Sequence, residues 1–266
     1  MIHAVLEGGG AAVGISDLMN VFGGLRFYTH ALAAGLKPIL GCDLKVINPK
    51  DLNKPFRLGV LCMNHEGYHS LSVLLTKAFL TNNDAARGLV DPKWFDDGGS
   101  EGLIALSGAA QGELGSLLLG KKWALAHEAA ERFKAQFPGR FYVELQRAGR
   151  PTDELATARL ANFAVEEKLP VVATHPIQFL KPEDFEAHEV RCSIAEGYTL
   201  QDPRRVKRYT PEQYLKSEAE MCELFADIPA AIENTVEIAK RCNLDGVLSK
   251  PQLPLFPTPD GMSLDD

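Results

Sequence analysis

Short apolar runs alternate with longer helical segments over most of this 266-residue chain. The runs are rich in aliphatic residues and are bounded by Gly, Pro, Asn or Asp, which is typical of strands buried on both faces. Repeated strand–helix–strand order predicts a parallel sheet with right-handed crossovers. The candidate strands are residues 11–16, 38–47, 57–63, 103–107, 140–146 and 170–174. We expect no antiparallel hairpin among them, which favours a barrel or an open doubly wound sheet.

Helical spacing of apolar residues predicts helices over 71–80, 123–137 and 153–168. The last third of the chain is predicted to be helical over 182–196, 211–226 and 229–242, because each segment opens with a proline that suits a first turn. Residues 1–7 look like the tail of a helix. The proline-rich end, from Lys250 onward, predicts an extended linker.

Composition limits the class of protein. The 35 acidic and 28 basic residues give a net charge of -7, which disfavours nucleic-acid binding over the whole surface. No apolar run approaches the roughly 20 residues that span a bilayer, and no leader is visible at Met1, so we expect a soluble, cytoplasmic protein without membrane contact. The five cysteines never form a C-x-x-C pair, which argues against a disulfide framework and a thiolate zinc site. We expect them to be small buried apolar side chains in a reducing compartment.

One short motif resembles a zinc-protease signature. His65 and His69 flank Glu66 in an H-E-x-x-H arrangement. Gly67 lies between the two histidines, the motif directly follows a candidate strand, and no third histidine follows at the usual distance. We therefore interpret the motif as an exposed helix start.

Three polar residues close candidate strands. Asp17 ends the first strand, Asp43 lies in the run KPILGCD, and His175 follows the last strand. In β/α barrels, metal ligands and catalytic groups collect at the carboxyl ends of strands. Asp and His also cap helices and satisfy loop backbone at such places, so position alone leaves both interpretations open.

The same segments resemble the amino-terminal region of bacterial DNA polymerase III alpha subunits. The run GISDLMNVFGGLRFYTHALAAGLKPILGCD is similar to the family's TDHGNMFG, helix and KPIIGCE. Further matches, in the same order, are VLCMNHEGYHSL, GLIALSGAAQGEL, GRFYVELQRAGRP, PVVATHPIQFL and EMCELFADIPAAIENTVEIAKRC. The resemblance extends from about Ala11 to Pro257, which is nearly the whole chain.

The resemblance implies a PHP domain, an α/β fold with a distorted (β/α)7 barrel. It further implies that this chain lacks the first strand of the barrel and ends in a helical carboxy-terminal part. The expected PHP domain covers residues 1–257, and residues 258–266 begin the connection to the polymerase palm, which is absent here.

In the family, metal-binding PHP domains resemble phosphoesterases with up to three metals held by His, Asp, Glu and Cys. The family's opening H-x-H motif would lie upstream of Met1. The resemblance implies six further ligand positions, and this chain has a carboxylate at one of them. These vestigial positions are Leu18, Asp43, Arg57, Ala109, Pro176 and Gln178. Should any metal bind, the nearby candidates are Asp17, Asp43 and His175.

The resemblance therefore implies a metal-free structural and docking module with no catalytic residue and no cofactor of its own. Its expected partners are the rest of the alpha subunit and the proofreading exonuclease subunit. DNA and Mg belong to the parent DNA-directed DNA polymerase. Two alternatives remain: a residual metal-dependent PHP phosphoesterase or 3′–5′ exonuclease, and a free-standing small-molecule phosphatase.

Overall fold

The computed structural model describes residues 1–81, 88–96 and 98–245. Within them, the strands are β1 Ala12–Leu18, β2 Lys37–Val46, β3 Phe56–Cys62, β4 Leu103–Leu106, β5 Phe141–Gln146 and β6 Val171–Thr174. The helices are α1 Ile2–Glu7, α2 Gly24–Ala33, α3 His65–Thr81, α4 Glu113–Leu119, α5 Trp123–Gln136, α6 Asp153–Glu166, α7 Phe185–Glu196, α8 Glu218–Leu224 and α9 Pro229–Arg241. Short 3-10 turns occur at Pro92–Phe95, Ala109–Gln111 and Pro182–Asp184.

The strands form one sheet in the order β1-β2-β3-β4-β5-β6, curled into a half-barrel. The pairs β1–β2, β4–β5 and β5–β6 are parallel, whereas β3 is antiparallel to both of its neighbours. The predicted all-parallel sheet without a hairpin is therefore wrong at β3. Its connection from β2 spans only residues 47–55. A parallel crossover needs about a dozen residues or more, so the chain reverses direction instead.

Two apolar clusters lie on the two faces of the sheet. On the outer face, Cys42, Leu44 and Val60 pack against the helices. On the inner face, the cluster comprises Ile39, Ile104, Leu106, Tyr142, Val172, Ile238 and Cys242. The last two residues belong to α9 or follow it directly, so the end of this helix packs on the inner face, whereas Ala231 near its start belongs to the outer cluster.

Polar contacts hold α9 at the amino-terminal ends of the parallel strands. Lys37, the first residue of β2, donates from Nζ to the Ala239 carbonyl over 2.6 Å. Arg241 donates to the Tyr142 hydroxyl over 2.8 Å, and the Asn243 N–H donates to the Met63 carbonyl over 2.7 Å. The opposite end of the half-barrel, where the parallel strands finish, is left for the candidate site.

Most predicted elements lie within a few residues of the observed ones, with two differences. The helix α3 begins at His65, six residues earlier than predicted. The predicted helix 211–226 is wrong in its first half, because only Glu218–Leu224 is helical. Before it, Tyr214 forms a β-bridge with Phe179, and Gln213 is bound to the loop after β6. The predicted linker from Lys250 onward and the connection at 258–266 lie outside the described residues.

The H-E-x-x-H motif forms an exposed helix start, as interpreted from the sequence. His65, Glu66 and His69 are all exposed in the first turns of α3. Between them, Gly67 is buried against the backbone of Gly102, and a Cβ there would lie 2.0 Å from the Gly102 carbonyl oxygen. Gly67 within the motif thus allows α3 to pack closely on the loop before β4.

The cysteines carry free thiols. Cys42, Cys62 and Cys242 are buried as predicted, but Cys222 is exposed on α8, which corrects the prediction for that residue. Burial raises the pKa of Cys42 and of Cys62 to about 12. These two thiols are therefore protonated at neutral pH and act as small apolar side chains.

Across the ranges 1–81, 88–96 and 98–245, none of the helices combines the length and apolarity required to traverse a lipid bilayer.

Candidate functional site

A polar cavity of about 250 Å³ lies at the mouth of the half-barrel, where the parallel strands have their carboxyl ends. In barrels of parallel strands this end is where functional side chains collect. The cavity is lined by residues of β2, β3 and β5, of the loops after β4, β5 and β6, and of the segment before α8. They are Asp43, Arg57, Gly59, Gly108, Gln111, Glu144, Gln146, Arg150, Pro176, Gln178, Arg208, Tyr209 and Gln213.

Asp43 is fixed on β2 by the strands on both sides. On one side, Ser16 of β1 donates from Oγ to Asp43 Oδ1 over 2.8 Å. On the other side it pairs with Gly59, where an added Cβ would lie 3.7 Å from Asp43 Oδ1. Burial raises the pKa of Asp43, and the Ser16 hydrogen bond and the positive charge of Arg57 partly offset this rise.

Arg57 reaches the mouth because β3 runs against its neighbours and presents its amino-terminal residues there. Among the described residues, its guanidinium has no hydrogen-bond or ion-pair partner. Its backbone is held closely by the loop after β4. A Cβ on Gly108 would lie 2.2 Å from the Arg57 carbonyl oxygen, and Gly108 has φ 78°, so glycine alone suits this contact.

Glu144 is the buried carboxylate of the cavity, with 7% of its surface exposed. Its Oε2 accepts the Gly108 N–H over 2.9 Å, and its Oε1 accepts the Gln146 side-chain amide over 2.9 Å. The hydroxyl of Thr174 also donates to Oε1. Burial raises the pKa of Glu144, the Thr174 hydrogen bond lowers it, and the negative charge of Asp43 raises it further.

The other two arginines of the cavity are already paired. Arg150 Nε lies 3.0 Å from Asp153 Oδ1, and its Nη2 donates to Gln146 Oε1 over 2.7 Å. Arg208 forms an ion pair with Glu196. Arg57 is therefore the arginine of the cavity lining whose charge is not neutralised by an ion pair with a described carboxylate, and this charge acts on Asp43.

The segment before α8 completes one rim of the cavity. Gln213 is 3% exposed and donates from Nε2 to the Pro176 carbonyl over 2.9 Å. The Gln178 N–H in turn donates to the Gln213 carbonyl over 2.8 Å. These contacts join the loop after β6 to a segment that lies more than thirty residues further along the chain.

The structure brings most of the six vestigial positions together. Asp43, Arg57, Pro176 and Gln178 line the cavity. Ala109 is buried between Gly108 and Gln111, which both line it, but its own side chain does not. Leu18 pairs with Asp43 in the sheet and is 40% exposed outside the cavity.

Two of the nearby candidates lie outside the cavity lining. Asp17 alternates with Ser16 along β1, and one of its carboxylate oxygens would lie 3.5 Å from a Cβ on Gly23, in the loop before α2. The ring of His175 contacts the Glu212 carbonyl through Nε2 over 2.7 Å. Burial lowers the pKa of His175, which favours its neutral form.

The donor set of the cavity does not fit the metals that the family resemblance implies. Transition-metal sites in proteins need about three or more protein ligands. The cavity offers Asp43 and Glu144, and both oxygens of Glu144 already accept hydrogen bonds. Arg57 adds a positive charge beside Asp43. Throughout the part of the chain that the structure describes, no three His, Cys, Asp or Glu side chains are grouped so that they could hold a metal ion.

Several cavity residues escaped the sequence interpretation. Glu144 lies within the motif GRFYVELQRAGRP, yet it was not assigned to the site. A single carboxylate in the otherwise apolar run FYVEL is the signal that could have found it. Arg208, Tyr209 and Gln213 carry no such signal, because they reach the cavity through irregular backbone.

This half-barrel with polar residues at its mouth matches a known family. The family model described as PHP domain matches residues 1–148, more than half of the chain. The chain therefore belongs to the PHP domain family.

The chain is also similar to several bacterial proteins named DNA polymerase III subunit alpha. Identity is 47% over 268 residues with the protein of Neisseria meningitidis serogroup B, and 44% over 267 residues with that of Pseudomonas fluorescens. Both alignments cover 100% of this chain but 23% of the relative, so the chain spans about a quarter of their length.

One solved structure, provisionally named a metal-dependent phosphoesterase from Bifidobacterium adolescentis, is similar at a TM-score of 0.38 and 11% identity, over 65% of this chain and 79% of that one. A similarity of this size supports no functional argument.

Proposed function

We propose that this chain is the PHP region of a bacterial replicative DNA polymerase III alpha subunit, and that it acts there as a metal-free structural and docking module. The similarity over the full chain to alpha subunits from several bacteria supports the first part. In this proposal, the half-barrel belongs to a distorted (β/α)7 barrel of PHP type with a helical carboxy-terminal part.

The observation that carries the second part is Arg57, unpaired within the described residues, in the same cavity lining as Asp43 and close enough for its charge to act on that carboxylate. Metal-dependent phosphoryl hydrolysis needs cations to generate hydroxide and to neutralise phosphate charge. At this mouth the fixed positive charge of Arg57 lies near Asp43, the carboxylate that a metal would need, and it repels a cation bound there. Leu18, Ala109 and Pro176 provide no metal-binding side chain at the other positions.

Polymerase activity, in this proposal, belongs to the whole protein. The chain covers 23% of its relatives, and the resemblance places the catalytic palm beyond it. DNA and Mg are accordingly partners of the parent polymerase rather than of this region. No residue of the cavity is assigned a catalytic role.

The proposed docking partner is the proofreading exonuclease subunit. A polymerase region without its own nuclease metals suits an arrangement in which proofreading is supplied by a separate chain. The experiment is to mix the purified chain with the exonuclease subunit of the same organism at micromolar concentrations and to measure complex formation by gel filtration with light scattering. Failure to form any complex would contradict the docking role.

A second candidate function is a residual metal-dependent phosphoesterase or 3′–5′ exonuclease, favoured by the two carboxylates Asp43 and Glu144 at one polar cavity. Elemental analysis of protein purified without chelator separates the two proposals. Near-stoichiometric Mn, Fe or Zn that is lost in the Asp43→Asn variant would favour the enzyme. Metal content at background level in both proteins would favour the docking module.

A further inference from the structure

The helix α2 carries apolar side chains that the described part of the chain leaves exposed. Leu25 and Leu32 are 51% and 50% exposed, and Phe22, in the loop just before the helix, is 91% exposed. The two leucines are seven residues apart, which is about two helical turns, so they lie on one side of α2. Single exposed apolar residues are common, but several along one helix side indicate a surface that another segment covers.

The end of the described chain contacts the same side of α2. Tyr28 is three residues after Leu25 and four before Leu32, so it lies between them on the helix surface. Its hydroxyl donates to the Leu244 carbonyl over 2.9 Å, and both residues are buried. We call Leu25, Tyr28 and Leu32 the α2 row. The chain passes the middle of this row one residue before the described part ends at 245.

Further contacts fix the point from which the chain continues. The Asn243 N–H donates to the Met63 carbonyl over 2.7 Å, and Asn243 Oδ1 accepts from Lys37 Nζ over 2.8 Å. Leu244 is 7% exposed and belongs to the outer cluster, whereas Asp245 is exposed. A segment that starts from a fixed point beside the α2 row loses little entropy when it packs there, because the loop that it closes is short.

The sequence that follows is too apolar for a solvated linker. Residues 246–259 contain no acidic residue, and Lys250 is their single basic residue. Segments that remain in water are instead poor in large apolar residues and rich in charge. The prolines of this stretch favour an extended chain, which can lie along a helix. Half of the positions from 247 to 256 hold large apolar side chains, namely Val247, Leu248, Leu253, Leu255 and Phe256.

The length of this segment suits the surface. An extended proline-rich chain rises about 3.1 Å per residue, so the stretch from Leu244 to Phe256 reaches as far as about 37 Å. The helix α2 has 10 residues and is about 15 Å long. The segment can therefore reach both leucines of the α2 row and Phe22 beyond them.

We infer that residues 247–256 of this chain pack on the α2 row, so that the chain's own continuation covers Leu25 and Leu32. The anchored carbonyl of Leu244 and the apolar sequence after it favour this occupant over a second copy of the chain. The inference goes beyond the proposed function and does not depend on the proposed docking partner. Its consequence is that α2 fixes the direction in which the chain continues from the half-barrel.

The test uses the full chain and compares the rates at which a maleimide modifies thiols at two matched sites. Leu32→Cys places a thiol on the α2 row, and Leu155→Cys on α6 is the control, because both leucines are 50% exposed. Both variants also carry Cys192→Ser and Cys222→Ser, and the other three cysteines are buried. The thiol of Leu32→Cys should react roughly 10-fold more slowly than the control, since a covered site reacts only while it is open.

Substitutions in the segment itself distinguish it from other occupants. In a chain that also carries Leu253→Ser, Leu255→Ser and Phe256→Ser, the thiol of Leu32→Cys should react within roughly 2-fold of the control, because the apolar contacts that keep the site closed are gone. Equal rates at the two sites without these substitutions would overturn the inference. Protection that persists in the substituted chain would also overturn it, because the segment would then not be the cover. Protection that grows with protein concentration would mean that a second copy covers the row, and the inference would be wrong.

Discussion

Glu144 of β5 accepts a hydrogen bond from the backbone N–H of Gly108 over 2.9 Å, and so ties the loop after β4 to the next strand. The same carboxylate accepts hydrogen bonds from Gln146 and Thr174, so it serves three donors at the mouth. This buried carboxylate is part of the framework that holds the cavity together.

Replacing this carboxylate should therefore destabilise the fold. In Glu144→Ala, the Gly108 N–H and the Thr174 hydroxyl lose their buried acceptor, and we expect a loss of about 2–4 kcal/mol in the free energy of unfolding. Urea denaturation followed by circular dichroism measures it. Glu237→Ala is the control, because Glu237 pairs with Lys240 on the surface and should cost less than about 0.5 kcal/mol. Equal losses in the two variants would mean that Glu144 is not structural.

Gly67 and Gly102 give a prediction about backbone packing. A Cβ at Gly67 would lie 2.0 Å from the Gly102 carbonyl oxygen, so Gly67→Ala must push α3 away from the loop before β4. We expect a loss of about 2–4 kcal/mol, as for severe overpacking. Gly24→Ala in α2 is the control, because its Cβ would meet Leu40 at an ordinary 3.6 Å and should be neutral or slightly stabilising. Thermal unfolding of both variants provides the comparison.

The charge of Arg57 should be visible in the titration of Asp43. Arg57 lowers the pKa of Asp43 against the effect of burial, so Arg57→Gln should raise that pKa further. The measurement is the pH dependence of the Asp43 carboxyl carbon by NMR. Lys45→Gln removes a charge from the residue paired with Arg57 and is the matched control, expected to leave the titration nearly unchanged. If the pKa of Asp43 is the same in Arg57→Gln as in the unsubstituted chain, Arg57 does not act as the counter-ion of the cavity.

We predict that Glu220 contributes to the free energy of unfolding with a pH dependence opposite in sign to that of the buried carboxylates. A hydrogen bond from Tyr214, with others from Ser217, lowers the pKa of Glu220 to about 2. Its stabilisation is therefore fully present above the unfolded value near 4.5 and is lost as the pH falls through about 2. Glu220→Gln should lower stability at pH 7, and the difference from the unsubstituted chain should shrink steadily below pH 4.5.

For Asp43 the sign is reversed. Its folded pKa is raised, so the carboxyl favours folding while protonated, and this contribution falls as the pH rises above the unfolded value of 3.8. Asp43→Asn should accordingly flatten the decline of stability as the pH rises above 3.8. Chemical unfolding at a series of pH values covers both residues. A steeper decline in Asp43→Asn would contradict the assigned direction of the shift.

The sequence was sufficient to locate the strands and part of the site. Apolar runs bounded by turn residues predicted six strands, and Asp43, singled out in the run KPILGCD, lines the mouth although β2 continues for three residues past it. The direction of β3 was not predicted. It is decided by the length of the connection at 47–55 and not by any residue in the strand, because a parallel pairing needs a longer crossover. Arg57 is near the amino-terminal end of β3, so an argument from the carboxyl ends of strands could not place it at the site.

The rest of the cavity depends on contacts that local patterns do not encode. Gln213 lies in a segment predicted to be helical, and its role follows from a tertiary hydrogen bond to Pro176. Tertiary contacts of this kind override propensity over short stretches. Ser16, which binds Asp43 across the strand pair, was likewise invisible without the register of β1 and β2.

Because β3 is antiparallel to β2, the connection at 47–55 lies at the end of the half-barrel where β2 has its carboxyl end. β2 continues for three residues past Asp43, about 10 Å at the usual rise, before the chain turns and comes back to Arg57. The connection therefore lies at the same end of the half-barrel as the cavity, although none of residues 47–55 lines the cavity. Because long insertions in surface loops cost little stability, this connection can change in length while the register of β2 and β3 stays the same.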